Sequence, residues 1–273
     1  MKLDAFYLPA SSGQRFCLFL QPDAQSTTRG AVVYIHPFAE EMNKSRRMAA
    51  LQARALVAAG YAVLQIDLHG CGDSSGDFGD ASWEGWIDDV KRACDWLQGR
   101  SNAELWLWGL RTGCLLACEA ASRLDQPSNL LFWQPVASGK QFLQQFLRLK
   151  VASEMLGGKS KGLMDRLRQQ LAQGESVEIS GYLLSCQLAN GLERAELLLP
   201  DHVGRVEWLE LSSQIGGTLS PFASARLESW HAAGCKARGG VVCGPAFWQT
   251  SEIAECPALL DRSVLVVAGA TPV

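Results

Sequence analysis

The residues whose types and spacing point most directly to chemistry are Gly109-Leu110-Arg111-Thr112-Gly113. The apolar run before them, residues 105–108, predicts a buried strand, and residues 114–120 are compatible with a helix. Two glycines allow the strand and the helix to approach closely around a tight turn. A turn of this kind presents a nucleophile when its middle residue is Ser. Here the middle residue is Arg111, whose guanidinium stays protonated and is no nucleophile.

A cation at this turn needs compensation, because Arg111 lies at the start of the predicted helix, where the helix dipole opposes a positive charge. A partly buried guanidinium also needs partners for up to five donors. We expect one of two arrangements. In the first, the carboxylate of Glu40, Glu41 or Asp67 reaches Arg111 and fills the position of the catalytic centre as a structural plug. In the second, the site binds an anionic ligand. Such an anion pocket would combine Arg111, the helix N-terminus and the Phe38 N–H.

Several residues near the turn are alternative nucleophiles, and each has a structural interpretation as well. Thr112 adjoins Arg111, but it also suits the start of a helix. Cys71 has His69 and Asp67 nearby in sequence, which suggests a Cys-His pair, although residues two apart need not face each other. Ser74 and its neighbour at position 75 are typical of a turn held by backbone hydrogen bonds.

Strands that alternate with helices position these residues. Apolar strands are predicted at 31–35, 61–67, 130–136, 206–211 and 240–243, after an opening hairpin at 5–8 and 16–20. This alternation predicts a mostly parallel central sheet flanked by helices, with ligands bound beyond the carboxyl ends of the strands. Between residues 140 and 200 we expect helices only, as a cap inserted into a core of 1–139 and 201–273. A short helix near 251–261 and a separate tail at 264–267 are predicted to end the chain.

Residues 30–136 resemble the α/β-hydrolase superfamily in the order and spacing of their motifs. His36-Pro37-Phe38-Ala39 is similar to its oxyanion loop, and residues 67–74 are similar to its Asp-x-x-Gly-x-Gly-x-Ser loop. Residues 36–48 and 133–143 carry a more specific resemblance, to the exosortase A system-associated hydrolase 2 family. This resemblance extends over nearly the whole chain. This resemblance implies a setting beside the bacterial exosortase machinery, which handles proteins with a PEP-type C-terminal signal (PEP-CTERM) alongside exopolysaccharide production.

The three positions of a hydrolase triad all lack the expected residue types. Besides Arg111, residues 212–216 hold no carboxylate where the acid belongs, and residues 244–249 hold no His. His202 precedes its strand and His231 is expected on a helix. We therefore carry two hypotheses. One is a binding or accessory protein, a pseudoenzyme of the exosortase system, and the other is an ester, thioester or amide hydrolase with an unconventional centre. The candidate pocket residues are His36, Phe38, Glu40, Glu41, Asp67, Arg111, Thr112 and Trp248.

Composition sets the outer limits. A net charge of −3 gives no reason to expect nucleic acid or an anionic membrane as a partner, and no apolar run is long enough for a membrane span. Nine cysteines without a Cys-x-x-Cys pair favour buried thiols in a reducing compartment, so we expect a cytoplasmic protein. No metal-ligand spacing such as His-x-x-x-His occurs, and we expect neither a metal nor a cofactor. The expected partners are a small anionic ligand or components of the exosortase/exopolysaccharide system.

Overall fold

The computed structural model describes residues 1–23, 28–155 and 162–269. The strands are β1 (Lys2–Pro9), β2 (Gln14–Gln21), β3 (Gly30–Ile35), β4 (Tyr61–Ile66), β5 (Leu105–Leu110), β6 (Asn129–Trp133), β7 (Val177–Ile179), β8 (Tyr182–Leu184), β9 (Arg205–Ser212) and β10 (Lys236–Cys243). The helices are α1 (Glu40–Ala58), α2 (Trp83–Gln98), α3 (Gly113–Ala121), α4 (Gly139–Met155), α5 (Leu163–Ala172), α6 (Cys186–Arg194), α7 (Pro221–Ala232) and α8 (Pro257–Val267).

The predicted sheet is confirmed. Eight strands lie in the order β1-β2-β4-β3-β5-β6-β9-β10. The hairpin β1–β2 is antiparallel and joins β4 in antiparallel fashion, while the remaining neighbours pair in parallel. Both β3 and β5 are buried along their whole length, since helices cover both faces. Val33 and Ile35 pack into one core with α2 and α3, whereas Val32 and Tyr34 face the other core with α1 and α8.

The chain between β6 and β9 differs in one respect from the prediction. It was expected to contain helices only, but the two short strands β7 and β8 form an antiparallel hairpin between α5 and α6. The turn of this hairpin has Ser180 and Gly181 at positive φ, a tight reversal that a search for helical stripes overlooks. Residues 156–161 of the predicted insertion lie outside the described residues.

The end of the chain is also different. The prediction of a helix near 251–261 followed by a separate tail is wrong, because α8 is one helix that begins at Pro257 and includes the apolar run. Proline has a φ suited to the first turn of a helix and lacks only an N–H that would be unpaired there. Val266 and Val267 are buried in the same core as Trp133. No helix among the described residues has the length and apolarity needed to cross a membrane.

Candidate functional site

The turn between β5 and α3 has a strained and tightly packed backbone. Arg111 has φ 57, which side-chain-bearing residues seldom adopt, and its N–H donates to the Trp133 carbonyl at 3.0 Å. A Cβ on Gly109 would lie 2.6 Å from the Cys114 nitrogen, and one on Gly113 would lie 2.3 Å from the Ile35 oxygen. The two glycines therefore do what their spacing predicted, since no larger residue fits where strand, helix and β3 meet.

The side chain of Arg111 lies between α1 and the loop after β10. Its Nε donates to Glu41 Oε1 at 3.3 Å, and the two side chains are 17% and 19% exposed. On its other side the guanidinium carbon lies 5.3 Å from the centroid of the Trp248 ring, within cation–π range. The nitrogens Nη1 and Nη2 of Arg111 make no hydrogen bond to any described residue. One nitrogen is thus satisfied within the protein and two remain available.

The other two carboxylates considered for Arg111 have different partners. Glu40 is exposed, and its Oε2 accepts hydrogen bonds from the Tyr182 hydroxyl at 3.0 Å and from Asn43 Nδ2 at 3.1 Å. This contact ties the hairpin β7–β8 to the start of α1. Asp67 Oδ2 accepts from the Asp73 N–H at 3.0 Å and from Arg46 at 3.3 Å. Of the three candidates, Glu41 alone pairs with Arg111.

Glu41 carries an electrostatic cost that Arg111 only partly offsets. Burial raises the pKa of Glu41 above its ordinary value, while the charge and the hydrogen bond of Arg111 act in the opposite direction. Its second oxygen, Oε2, is buried without a hydrogen-bond partner among the described residues. Glu41 lies in the first turn of α1, where the helix dipole favours an acid. Removal of Arg111 would therefore leave a buried carboxylate with little compensation.

His36 holds the loop after β3 and is not free to act as a base. Its Nδ1 hydrogen-bonds the Pro37 carbonyl at 2.8 Å, and its Nε2 accepts from the Leu68 N–H at 3.2 Å. These partners require a proton on Nδ1 and none on Nε2. Burial lowers the pKa of His36, which favours the same neutral ring. Both ring nitrogens are thus used in joining the loops after β3 and β4.

The remaining histidines lie away from the turn. His202 Nε2 hydrogen-bonds the Ala121 carbonyl at 3.0 Å, and His231, on α7, contacts the Ala237 carbonyl. The His69 backbone N–H donates to Asp89 at 2.9 Å, and within the described part of the chain none of the three has a hydrogen bond with Arg111 or Thr112. In the loop after β10, where a catalytic His would lie, the buried Trp248 packs on Arg111 instead.

The alternative nucleophiles occupy structural positions. Thr112 is 1% exposed at the start of α3. Cys71 is buried, and burial raises its thiol pKa, which disfavours the thiolate. No hydrogen bond joins Cys71 to His69 among the described residues. The Ser74 hydroxyl donates to the Asp67 carbonyl at 2.5 Å and accepts from the Phe16 N–H at 2.8 Å, so it holds a turn as predicted.

An aromatic cluster covers the oxyanion loop. The ring of Phe38 is 1% exposed and lies within 5.1–5.6 Å, centroid to centroid, of Phe78, Trp86, Phe142 and Phe146. Phe142 and Phe146 come from α4, so the segment after β6 packs directly over this loop.

No group of three or more His, Cys, Asp or Glu among the described residues is placed to hold a metal ion.

Sequence reasoning missed three residues of this region, namely Arg46, Tyr182 and Phe78. Arg46 lies one turn after Met42 on α1 and pairs with Asp67 after β4, a contact between two elements that spacing along the helix does not predict. Tyr182 and Phe78 pack edge to face, with centroids 5.1 Å apart, between the hairpin and the loop after β4. No spacing along the chain connects those two segments.

Comparisons with known proteins place this geometry in a family. A family model described as Hydrolase_4, serine aminopeptidase S33, matches residues 26–169. The fold is similar to Est1E from Butyrivibrio proteoclasticus with bound ferulic acid, at TM-score 0.71 and 15% identity over 97% of this chain and 98% of that one. It is also similar to a thermostable carboxyl esterase from Bacillus coagulans, at TM-score 0.68 and 13% identity over 98% and 99%. These likenesses show the α/β-hydrolase fold. No curated protein matches the sequence.

Proposed function

We propose that this chain, which belongs to the serine aminopeptidase S33 family of α/β-hydrolases, is a member that binds rather than cleaves. The observation that carries this proposal is the group formed by Arg111, Glu41 and Trp248 at the position of the catalytic centre. A guanidinium at the nucleophile position pairs with the start of α1 and packs on a Trp where a His base would lie. The chain is in this sense a pseudoenzyme.

The missing chemistry supports this interpretation. Acyl transfer by a hydroxyl needs an adjacent base, because an unassisted hydroxyl is a poor nucleophile at neutral pH. General-base assistance is typically worth about 10²–10⁴-fold in rate. Thr112, next to the turn, is buried, and its hydroxyl has no hydrogen bond to a His among the described residues. Neither His36 nitrogen is free to take its proton.

The available nitrogens of Arg111 indicate the ligand. A planar guanidinium with Nη1 and Nη2 unbonded matches the two oxygens of a carboxylate or phosphate group. The N-terminus of α3 adds partial positive charge at the same place. The proposed ligand is therefore a small anion or an anionic group on a partner molecule.

The cellular setting rests on the resemblance of residues 36–48 and 133–143 to the exosortase A system-associated hydrolase 2 family. We propose an accessory role in the cytoplasm, beside the exosortase/exopolysaccharide machinery, with residues 140–200 as a cap on a core of 1–139 and 201–273. Glu40 and Phe38 support this division, since they bind the hairpin β7–β8 and α4 respectively.

The alternative is an ester, thioester or amide hydrolase with an unconventional centre. This alternative is favoured by the backbone of the turn between β5 and α3, which holds Arg111 at φ 57 although no serine is present. Short-chain nitrophenyl esters and a fluorophosphonate probe for activated serines distinguish the two. We expect no turnover and no labelling. Specific labelling, or turnover abolished by a single Ser, Thr or Cys substitution, would establish the alternative.

Anion binding is tested separately from catalytic silence. Sulfate or phosphate should raise the melting temperature of the protein at constant ionic strength, and Arg111→Met should remove that effect. Arg47→Met is the matched control. Arg47 lies on α1, but its side chain is 59% exposed and pairs with Glu255 instead of Glu41. An anion effect that survives in Arg111→Met would exclude Arg111 as the binding group.

A further inference from the structure

A cavity lies behind the oxyanion loop, under the first half of α1. Its volume is about 190 Å³, and it opens between α1 and the strands β2, β3 and β4. Buried side chains form its floor, among them Tyr34, Met42 and Asp67, and the half-buried Phe16 and Ala50 lie at its rim. Neither Arg111 nor Trp248 lines this cavity, although His36 and Asp67 of the candidate site do, so it lies beside the Arg111 centre and does not include it.

Two polar groups in its wall lack partners. The Tyr34 hydroxyl makes no hydrogen bond to any described residue, although Tyr34 is only 5% exposed. Asp67 Oδ2 has two donors, but Oδ1 has none among the described residues. Both atoms are accessible to solvent, so a ligand that fills the cavity displaces water from them and has to supply the hydrogen bonds that the water made.

Both groups are held in place before a ligand arrives. The Tyr34 ring packs against Trp108 with centroids 4.3 Å apart, and Asp67 is fixed by the Asp73 N–H and by Arg46. Arg46 also balances the charge of Asp67, so the cavity does not require a charged ligand. The remaining wall is mostly apolar, from Phe16, Leu18, Met42, Ala49 and Ile66, and His36 and Gln65 are its other polar residues. An apolar pocket with a few fixed polar groups is the usual form of a small-molecule site.

We propose that this cavity binds a compact neutral molecule with one apolar ring and one hydroxyl or primary amide. The hydroxyl or amide donates a hydrogen bond to Asp67 Oδ1 and pairs with the Tyr34 hydroxyl. The ring lies against Met42 and Ala49. A cavity of roughly 150 Å³ lined by apolar side chains holds benzene, so about 190 Å³ accommodates one substituted ring. This proposal does not depend on whether Arg111 binds an anion.

Benzyl alcohol is the probe, and toluene is its counterpart without the hydroxyl. Relaxation-filtered proton NMR of each compound, titrated with the full chain, should give a dissociation constant on the order of millimolar for benzyl alcohol. Toluene should bind about tenfold more weakly, because it leaves Asp67 and Tyr34 unpaired. Tyr34→Phe should weaken benzyl alcohol about 3- to 10-fold while keeping the ring that packs on Trp108.

A second variant tests the location without touching the polar groups. Ala50→Leu adds volume at the half-buried rim and should abolish binding, whereas Ala58→Leu, on the exposed side of the same helix, should not change it. Absence of benzyl alcohol binding, or equal binding by Ala50→Leu, would overturn the site. Toluene binding as tightly as benzyl alcohol would overturn the role of Asp67 and Tyr34.

Discussion

Replacement of Arg111 by Met tests the ion pair between Arg111 and Glu41 at the turn between β5 and α3. Met keeps most of the length and the apolar contact with Trp248, and it is no better suited than Arg to φ 57. The variant therefore removes the charge and the Nε hydrogen bond without relieving the backbone. What remains is Glu41, whose Oε1 loses its donor and whose Oε2 already has none among the described residues.

The size of the effect follows from burial and distance. At 3.3 Å and an effective dielectric constant near 20, two unit charges attract by roughly 5 kcal/mol. Desolvation of Glu41 cancels this gain, since burial is the larger influence on its pKa. The measurable loss is the cost of leaving a buried acceptor unpaired, about 1–3 kcal/mol at pH 8. For a chain of this size that corresponds to about 2–4 °C in melting temperature per kcal/mol.

The loss should depend on pH in a defined direction. The folded protein holds the Glu41 proton more tightly than an unfolded chain, for which the pKa is about 4.5. Stability from this group is therefore complete below pH 4.5 and is lost as pH rises through the folded pKa. Without Arg111 the folded pKa of Glu41 rises further, so the difference between variant and wild type should be small near pH 4 and full at pH 8.

Urea denaturation at pH 4 and pH 8 measures this difference, and Glu41→Gln in the Arg111→Met background provides the control. The double variant should be more stable than Arg111→Met at pH 8 and should show no extra pH dependence, because the stranded carboxylate is gone. Equal destabilisation by Arg111→Met at both pH values, or no recovery in the double variant, would refute the pairing of Arg111 with Glu41 as described.

Three further changes test neighbouring features. Arg111→Ser should show no esterase activity above background with nitrophenyl esters, because the hydroxyl has no base; strong activity would reveal a base already in place. Gly113→Ala should lower the free energy of unfolding by about 1–3 kcal/mol, since its Cβ would lie 2.3 Å from the Ile35 oxygen. An unchanged melting curve would show that the turn has room. Tyr182→Phe, which loses the hydrogen bond to Glu40, should speed amide exchange in β7 and β8 with little effect elsewhere; unchanged exchange would mean that this contact does not hold the hairpin.

Much of the sheet could be predicted because its buried strands have a simple signature. Short apolar runs bounded by glycine or polar residues gave β3, β4, β5 and β9 to within one or two residues. Ser82, a residue type that often caps helices, accepts from the Gly85 N–H at the start of α2. Such patterns are visible in the sequence because the burial of one strand and the capping of one helix depend mainly on residues that are close together in the chain.

The helix α1 shows where such reasoning fails. Met48, Leu51, Ala55 and Ala59 form an apolar stripe at helical spacing, but the buried face also includes Ser45 and Gln52, both 0% exposed. Apolar periodicity does not detect buried polar residues, and an alanine-rich helix allows several faces to compete.

The candidate site was predictable only in part. The contact between Glu41 and Arg111 follows from β3 and β5 being parallel neighbours, which brings the residues after their ends together. The packing of Trp248 on Arg111 and the bond from Tyr182 to Glu40 depend on how distant loops fold over that edge. No periodicity or spacing along the chain contains this information.

The first two turns of α1 connect four parts of the molecule that are far apart in sequence. Glu40 bonds the hairpin β7–β8, Glu41 pairs with Arg111, Arg46 pairs with Asp67 beside the cavity under α1, and Arg47 pairs with Glu255. Successive helical residues differ by about 100° in direction. Insertion or deletion of one residue between 41 and 46 would therefore turn the two halves of this set away from each other, although all four of these side chains would still be present. A substitution here removes one contact, whereas a change in the length of the segment disrupts several contacts at once.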